Sequence, residues 1–288
     1  MCLRCPNCHE PLDAALSCIH GHHFVEHNGV LMLLAADFGA RLQAFLSEFE
    51  AQRERDHKRL IDPAAYENLP QIRSRDRSWD VEWRLRRYDL AVVVGQLRNR
   101  SRLRVLDVGA WNGWLSHQLA KRGHDVTAVD YFVDEYDGLG ARRFYSSTWR
   151  AIQLDLDDLT VLDEPFDVII LNRCVQFFAD PAALLRTTRA RLAPEGQLII
   201  TGLQFFRDPH PKARAVAQAQ QVYRARTGFD LFLKPTKGYL DFEDRRRFQA
   251  DGVQLRAYPQ LWPANWKARF RPARPRHEYG VWRAESHG

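Results

Sequence analysis

Three aspartates each stand at the end of an apolar segment, and a loop containing two glycines follows the first of them. Asp107, Asp130 and Asp155 end the segments LRVLD, HDVTAVD and WRAIQLD. A carboxylate at the end of a second strand can accept hydrogen bonds from two hydroxyls of a ribose, and one at the end of a third strand could reach an adenine amino group. The types and spacing of these residues predict a nucleoside-binding site.

The loop after Asp107 reads VGAWNGW. Gly109 is placed to take the tight turn and to let a ligand approach the main chain. Gly113 is placed at the start of a helix, where free N–H groups face whatever binds. Between them, at a position that is often glycine, stands Trp111. With the indole turned away from the ligand the loop can work, whereas an indole packed under the sheet would close the pocket.

A second group of residues has the spacing of metal ligands. Cys5-x2-Cys8 and Cys18-x3-His22 provide two pairs of donors. Because no export signal precedes them, metal binding is favoured over disulfides. Four protein ligands form a closed tetrahedral zinc site, which is structural rather than catalytic.

The choice of the fourth zinc ligand stays open in the sequence. His20, His23 and His27 compete with His22, and Cys2 is expected to lie outside the site. A module of residues 1–36 would bury too little surface to fold alone, so the metal would supply its stability.

The elements that must position the three aspartates alternate between strands and helices from residue 102 onward. Apolar strand segments are separated by helical segments such as WLSHQLAKRG and PAALLRTTRARLAPEG. This order predicts an α/β fold with a doubly wound, mostly parallel sheet and right-handed crossovers. Ligands of such sheets bind at the carboxyl ends of the strands, so the aspartates are expected to converge there.

Residues 37–100 have a helical pattern. Apolar residues recur at three- and four-residue spacing from Phe38 to Phe49, Asp62-Pro63 predicts the start of a short helix, and WDVEWRLRRYDLAVVVGQL predicts a second long one. We therefore predict three regions: a zinc-binding module over 1–36, a helical region over 37–100 and a ligand-binding sheet domain over 101–288.

The composition restricts location and partners. The chain of 288 residues is 45% hydrophobic, as expected for a folded globular protein. No apolar run approaches the roughly 20 residues of a membrane span, and the N-terminus lacks a secretory pattern. We therefore expect a cytoplasmic protein without a membrane partner. The net charge of +6 comes largely from arginine, which suits phosphates and carboxylates but is also compatible with an ordinary basic surface.

The segment VLDVGAWNGWLSHQLAKRGHDVTAVD resembles the first two motifs of class I S-adenosylmethionine-dependent methyltransferases. FDVIILNRCVQFFADPAALL and RLAPEGQLII are similar to the fourth-strand motif of this family and the turn before its fifth strand. The resemblance implies a Rossmann-like methyltransferase fold with seven strands, the last antiparallel, and S-adenosylmethionine as cofactor over residues 101–288.

The same resemblance implies roles for individual residues. Asp107, Gly109 and Gly113 would hold the methionine part, Asp130 the ribose, Asp155 and Leu156 the adenine, and Asn172 would lie beside the sulfur. The predicted cofactor-binding residues are Asp107, Gly109, Trp111, Gly113, Asp130, Tyr131, Asp155, Leu156 and Asn172.

The chain departs from the family pattern in ways that leave the catalytic residues unidentified. Trp111 replaces a usual glycine, and Gln176 and Phe177 stand where a narrower group of bacterial methyltransferases tends to have histidine and tyrosine. A methyl sulfonium is already an activated donor, so proximity without a general base is sufficient chemistry. Cys174 and His210 are weaker candidates, expected to be a buried apolar-like residue and a solvated loop residue.

Residues 1–36 resemble the N-terminal zinc segment of ribosomal RNA guanine methyltransferases, in which this segment helps to bind RNA. The resemblance rests on the cysteine spacing, His22-His23-Phe24 and the following GVLMLL. With the arginine-rich stretch RFRPARPRHEYGVWR it favours an RNA acceptor slightly over a small molecule or a peptide. The alternative is a non-catalytic scaffold that binds a protein partner through the zinc module and the helices.

Overall fold

The computed structural model describes residues 2–56, 59–60, 62–72 and 77–284. Within these residues a single mixed sheet runs through the molecule, with helices on both of its faces. The strands are β1 (Val25–His27), β2 (Val30–Leu33), β3 (Arg104–Val108), β4 (Asp125–Asp130), β5 (Arg150–Leu154), β6 (Phe166–Asn172), β7 (Leu192–Phe206), β8 (Leu240–Asp241), β9 (Gln254–Ala257) and β10 (Pro275–Arg283). The helices are α1 (Ala36–Arg55), α2 (Pro63–Tyr66), α3 (Arg77–Gln96), α4 (Trp114–Ala120), α5 (Pro181–Arg189), α6 (His210–Thr227), α7 (Phe242–Ala250) and α8 (Trp262–Phe270).

The strand order is β1-β2-β5-β4-β3-β6-β7-β10-β9, with β8 beside the end of β7. Strands β2 to β7 pair in parallel along this path, and β10 is antiparallel to both of its neighbours. The predicted doubly wound, Rossmann-like α/β fold with a late antiparallel strand is confirmed. The central strands are buried on both faces, as expected where helices cover both sides of a parallel sheet.

The prediction of seven strands is wrong, because the described sheet has ten. The first two form a hairpin through Asn28-Gly29, a dipeptide suited to two-residue hairpin turns. The second strand, VLML, is largely buried and pairs in parallel with β5. The sequence could not reveal this pairing, since the partner strand lies more than a hundred residues away.

The predicted helices between the hairpin and β3 are present. The apolar positions of α1 are buried, including Phe38, Leu42 and Phe45. Asp62 accepts a hydrogen bond from the N–H of Ala64 at 3.0 Å and so caps α2, with Pro63 in its first turn. The expected continuation of the first helical pattern across 57–58 and 61, and of the last strand across 285–288, falls outside the described residues.

The described part of the N-terminal segment packs on the sheet rather than standing apart from it. Leu3 forms a bridge with Leu162, and Arg4 forms an ion pair with Asp163 at 2.6 Å. Cys5 belongs to the same apolar cluster as the central strands. The division at residues 36 and 100 stays a prediction. No helix in 2–56, 59–60, 62–72 or 77–284 combines the length and apolar character needed to cross a membrane, and the cytoplasmic location also stays a prediction.

Candidate functional site

A cavity of about 450 Å³ opens at the carboxyl ends of β3, β4 and β6. Its volume lies within the range of roughly 300–1,000 Å³ typical of small-molecule sites. Helices α1 and α3 and the segment 231–234 cover it. Seven of the nine predicted cofactor-binding residues line it: Asp107, Gly109, Trp111, Asp130, Tyr131, Leu156 and Asn172.

Asp107 has one carboxylate oxygen without a hydrogen-bonding partner. Its Oδ2 accepts from the hydroxyl of Ser116 at 2.7 Å, whereas Oδ1 is buried and unpaired. The pKa of Asp107 is raised to about 7, mainly by burial and to a smaller extent by the charge of Asp130, against the lowering effect of the Ser116 hydrogen bond. A buried acceptor without a partner is costly, so the cavity offers this oxygen to a ligand that can donate.

Asp130 faces the same cavity and is held by main-chain donors. The N–H of Trp111 donates to Oδ2 at 2.6 Å, and the N–H of Phe132 donates to Oδ1 at 3.0 Å. A carboxylate has about four lone-pair sites, so each oxygen can accept a further hydrogen bond. Burial raises the pKa of Asp130 to about 6, although the main-chain donors favour its charged form.

The indole of Trp111 lies along the wall of the cavity and does not fill it. Its ring stacks on Trp83 with the centroids 5.8 Å apart, and its Nε1–H donates to Oδ1 of Asp137 at 2.8 Å. The guanidinium of Arg86 lies 4.9 Å from the ring centroid. Residue 111 adopts a positive φ of 53°, which turns the side chain out of the loop.

The two glycines of the loop are required for different reasons. Gly109 has φ 70°, and a Cβ there would lie 2.7 Å from Cβ of Cys174. Gly113 has φ 75° at the start of α4, and a Cβ there would collide with the ring of Trp149. Gly109 therefore faces the cavity, whereas Gly113 shapes the loop from behind and is not among the residues that line the cavity.

Asp155, the third predicted aspartate, lies behind the wall of the cavity. Asp155 accepts from Lys234 Nζ at 2.5 Å and from the hydroxyl of Tyr131 at 3.3 Å, and Lys234 also pairs with Asp157 at 2.5 Å. Tyr131, Leu156 and Asp157 reach the cavity, while Asp155 does not. The lysine crosses this end of the cavity from a segment whose role the sequence did not suggest.

At the opposite end, Asn172 belongs to a buried polar network centred on Asp89. Its Nδ2 donates to Oγ1 of Thr201 at 2.7 Å and to Oδ2 of Asp89 at 3.3 Å. Asp89 is fully buried and also accepts from Nε of Arg173 at 2.5 Å and from the hydroxyl of Tyr258 at 2.6 Å. Five residues, from α3, β6, β7 and the segments after β6 and β9, thus form one network that fixes the side chains at the end of β6.

The weaker candidates have structural roles. Cys174 is buried, and its thiol donates to the carbonyl of Val108 at 3.3 Å; burial raises its pKa far above the ordinary value. His210 is exposed and pairs with Asp208 at 3.0 Å, so it is solvated as expected, although it is the first residue of α6 and not a loop residue. Gln176 donates to the carbonyl of Arg173 at 2.7 Å.

Several cavity residues were missed because they come from the helical region. Phe45, Phe49 and Arg53 project from α1, and Arg86 from α3. The helical periodicity identified the apolar positions of α1 but gave no sign that two of them face a cavity. An arginine within the apolar stripe of a helix, as at position 86, is the one local signal that could have been used.

The four predicted metal ligands converge. The Sγ atoms of Cys8 and Cys18 lie 3.7 Å apart. The Nδ1 of His22 lies 3.4, 3.8 and 3.2 Å from Sγ of Cys5, Cys8 and Cys18. A tetrahedral ion with Zn–S near 2.3 Å and Zn–N near 2.0–2.1 Å requires edges of about 3.8 Å and about 3.5 Å, so the donor set has the size of a zinc site.

The competing histidines point elsewhere. His23 Nδ1 lies 3.0 Å from the hydroxyl of Ser17, and the Nε2 of His27 contacts Asn28. His20 and Cys2 are exposed, and neither belongs to the described donor cluster. Among the four histidines considered, only His22 joins the cysteines.

The arginine-rich stretch after α8 is partly neutralised. Arg276 donates to Glu278 at 2.7 Å, and Arg245 from α7 donates to the same buried carboxylate at 2.7 Å. Arg276 therefore forms an ion pair within the protein.

A family model described as a methyltransferase domain matches residues 82–232, just over half of the chain. It begins beyond the cysteine cluster, so the resemblance of residues 1–36 to the zinc segment of ribosomal RNA guanine methyltransferases is not confirmed.

Relatives in several genera carry the same printed name. A ubiquinone biosynthesis O-methyltransferase of Xanthomonas euvesicatoria is 30% identical over 179 residues, 58% of this chain and 70% of that protein. A ubiquinone biosynthesis O-methyltransferase of Cereibacter sphaeroides is 30% identical over 127 residues, and the chain spans about half of its length (49%). A solved structure of magnesium protoporphyrin IX methyltransferase from Synechocystis PCC 6803 with bound S-adenosylhomocysteine is 16% identical, covers 73% of this chain and 89% of its own, and has a TM-score of 0.45.

Proposed function

Since the chain belongs to the methyltransferase-domain family and is an S-adenosylmethionine-dependent methyltransferase, we propose that its acceptor is a small organic molecule bound in the cavity. The supporting observation is the cavity itself, which has polar groups at its strand-end floor and aromatic rings on its sides. The relatives, named as O-methyltransferases of ubiquinone biosynthesis, support an oxygen atom as the methyl acceptor.

The residues at the floor fit the cofactor. The unpaired Oδ1 of Asp107 is placed to accept from an ammonium group, and the free lone pairs of Asp130 suit two neighbouring hydroxyls. Leu156 and Tyr131 offer apolar surface to a flat base. When bound, S-adenosylmethionine supplies an activated methyl group.

The chain's own contribution is to orient the reactants and exclude water. Aromatic side chains of α1, α3 and the segment 231–234 surround the cavity, so an acceptor loses solvent as it enters. Holding two reactants in line can supply several kcal/mol of rate acceleration without a general base. We assign no general base.

The preference for RNA over a small molecule is not supported by the relatives, and the scaffold alternative does not fit an enzyme of this family. A direct test incubates the protein with S-adenosylmethionine that carries a ¹³C-methyl group, together with protein-free small-molecule extract or with ribosomal RNA. We expect label in the small-molecule fraction, recovered on oxygen. Label in RNA alone would overturn the proposal.

We also propose that Cys5, Cys8, Cys18 and His22 bind one structural zinc ion. The edge lengths of the donor set support it, as does the main-chain N–H of Asn7, which lies 3.4 Å from Cys5 Sγ as expected beside a thiolate. The site has no open position and its residues join the apolar core, so the zinc contributes stability and no chemistry. A protein partner at this module stays a prediction.

A further inference from the structure

Arg173 is a cavity-lining arginine whose position is determined by its surroundings. It follows the last residue of β6 and adopts φ 57°, a left-handed conformation that is unusual for a non-glycine residue. Its side chain passes over Gly202, where any Cβ would collide with Cγ of the arginine. A strained residue accommodated by a glycine on the next strand indicates that this direction of the side chain matters.

The inner end of the guanidinium is fixed. Nε donates to Oδ2 of Asp89 at 2.5 Å, and the other oxygen of Asp89 accepts from Tyr258 at 2.6 Å. Tyr258 in turn accepts from the N–H of Gly202 at 2.8 Å. Asp89 and Tyr258 do not line the cavity, whereas Arg173 does. The two terminal nitrogens of Arg173 form no hydrogen bond or ion pair with the described residues.

A second guanidinium stands close by. Arg86 lines the same cavity, and its described polar partner is Glu82 at 3.3 Å, a side chain that is 61% exposed. The pKa of Arg86 is lowered to about 10, mainly by burial and also by the charge of Arg173, against the raising effect of Glu82 and Asp89. Glu82 also lines the cavity, so the two guanidiniums face one buried carboxylate and one exposed carboxylate, and a bound anion would serve as the missing partner of the terminal nitrogens of Arg173.

The surroundings of Arg173 also indicate the rest of the ligand. Phe177 lies four residues further along the chain, and its ring contacts Phe232 with the centroids 6.1 Å apart. Both rings and Phe178 line the cavity. A ligand that places an anionic group against Arg173 would lay its body on this aromatic surface.

Resting on the proposed function, we propose that the acceptor is an apolar or aromatic molecule with a carboxylate or similar anionic group, and that Arg173 binds that group. The carboxylate of the cofactor has the same chemistry, and Arg86 lies over Trp111 in the cofactor loop. The experiment must therefore distinguish an anion on the acceptor from the anion on the cofactor.

The test uses two probes of nearly equal shape, 2-naphthoate and 2-naphthylmethanol, titrated by calorimetry into the protein with and without S-adenosylhomocysteine. We expect the wild type to bind the carboxylate about tenfold more tightly than the alcohol, the fold-change of a charge-assisted hydrogen bond. Arg173→Met should bind the two probes equally and retain its affinity for S-adenosylhomocysteine. Arg246→Met, which removes an exposed arginine, should behave as the wild type.

Arg173→Met leaves the buried carboxylate of Asp89 without its cation and for that reason could fail to fold. A second variant therefore removes both charges. Arg173→Met combined with Asp89→Asn does so; the amide oxygen at position 89 can still accept from Tyr258, while the hydrogen bond from Asn172 is lost. Tyr258→Phe, which removes the hydrogen bond to Asp89 and the acceptor of the Gly202 N–H, should reduce the carboxylate preference without abolishing it.

The proposal is overturned if the wild type binds the carboxylate no more tightly than the alcohol, or if it binds neither probe. It is also overturned if the doubly substituted protein keeps the preference. Loss of S-adenosylhomocysteine binding in Arg173→Met with the probe preference retained would assign the arginine to the cofactor instead. Failure of the wild type to bind S-adenosylhomocysteine would contradict the proposed function, and the naphthoate titration without that ligand still decides the role of Arg173.

Discussion

The indole N–H of Trp111 donates to Oδ1 of Asp137 at 2.8 Å, and this hydrogen bond connects the loop after β3 with the loop after β4. Asp137 also accepts from Nε of Arg53 at 2.5 Å, so α1 joins the same buried contact. The ring is thereby held beside Trp83 and forms a wall of the cavity. A tryptophan at a position that is often glycine is compatible with an open cofactor site because its indole has a partner outside that site.

Replacing Trp111 with phenylalanine keeps the stacked ring and removes the hydrogen bond to Asp137. Because that bond joins a buried carboxylate, we expect the free energy of unfolding to fall by about 1–3 kcal/mol, with the affinity for S-adenosylhomocysteine changed less than threefold. Trp262→Phe is the control, since Trp262 is exposed, and should change the unfolding free energy by less than about 0.5 kcal/mol. Equal stability of both variants in denaturant titrations would show that the indole bond does not support the loop.

Gly109→Ala tests the close approach between the cofactor loop and the end of β6. The added Cβ would lie 2.7 Å from Cβ of Cys174, whereas a Cβ at Gly123, which also has positive φ, would meet nothing within 4 Å. Gly123→Ala should therefore lower the free energy of unfolding only by the strain of a left-handed alanine, about 1–2 kcal/mol. Gly109→Ala should lower it by more. Chemical denaturation of the two variants measures the difference, and equal losses would rule out the steric contact.

The affinity for the cofactor product should depend on pH through Asp107. The pKa of this buried carboxyl is raised to about 7, so below pH 7 the unliganded protein holds it protonated and neutral. An ammonium group prefers the charged form, and binding of S-adenosylhomocysteine should therefore weaken as pH falls from 8 to 6, approaching tenfold per unit. In Asp107→Asn, calorimetry should give weaker binding at pH 8 and a smaller pH dependence. A wild-type affinity independent of pH would exclude this pairing.

Elemental analysis should find one zinc ion per chain, and chelation should lower the midpoint of thermal unfolding. His22→Ala should lose the metal because its Nδ1 lies within 3.8 Å of all three sulfurs. His23→Ala, which only removes the contact with Ser17, should retain it, as should Cys2→Ser. Zinc content unchanged in His22→Ala but lost in His23→Ala would show that His23, and not His22, binds the metal.

The sequence predicted what is local to each strand end. Asp107, Gly109 and Asp130 could be placed because the carboxyl ends of parallel strands share one edge of the sheet, and each residue stands next to the strand that carries it. The four metal ligands were predictable for a similar reason, since their spacing along 18 residues is itself the signal. Asp155 also stands at the carboxyl end of a parallel strand, but it lies behind the wall of the cavity, where Lys234 from a distant segment pairs with it.

What could not be predicted depends on packing between distant segments. Arg86 and Asp89 sit on one helix three residues apart, and only the docking of that helix on the sheet brings them to Arg173. The extension of the sheet by β1 and β2 likewise depends on a pairing with β5 that no local pattern specifies. The predicted preference for RNA came from a likeness of the first 36 residues and from the arginine-rich stretch near the end of the chain, and the matched family region, residues 82–232, contains neither.

The central claim is that carboxylates at the ends of β3 and β4 hold the cofactor, and titration of S-adenosylhomocysteine into wild type, Asp130→Ala and the partly exposed control Asp208→Ala, which lies outside the cavity, tests it most directly. We expect one site per chain in the wild type and the control. In Asp130→Ala, shown by circular dichroism to be folded, affinity should fall by tenfold or more. No binding to the wild type at millimolar ligand, or equal affinity in a folded Asp130→Ala, would contradict the account.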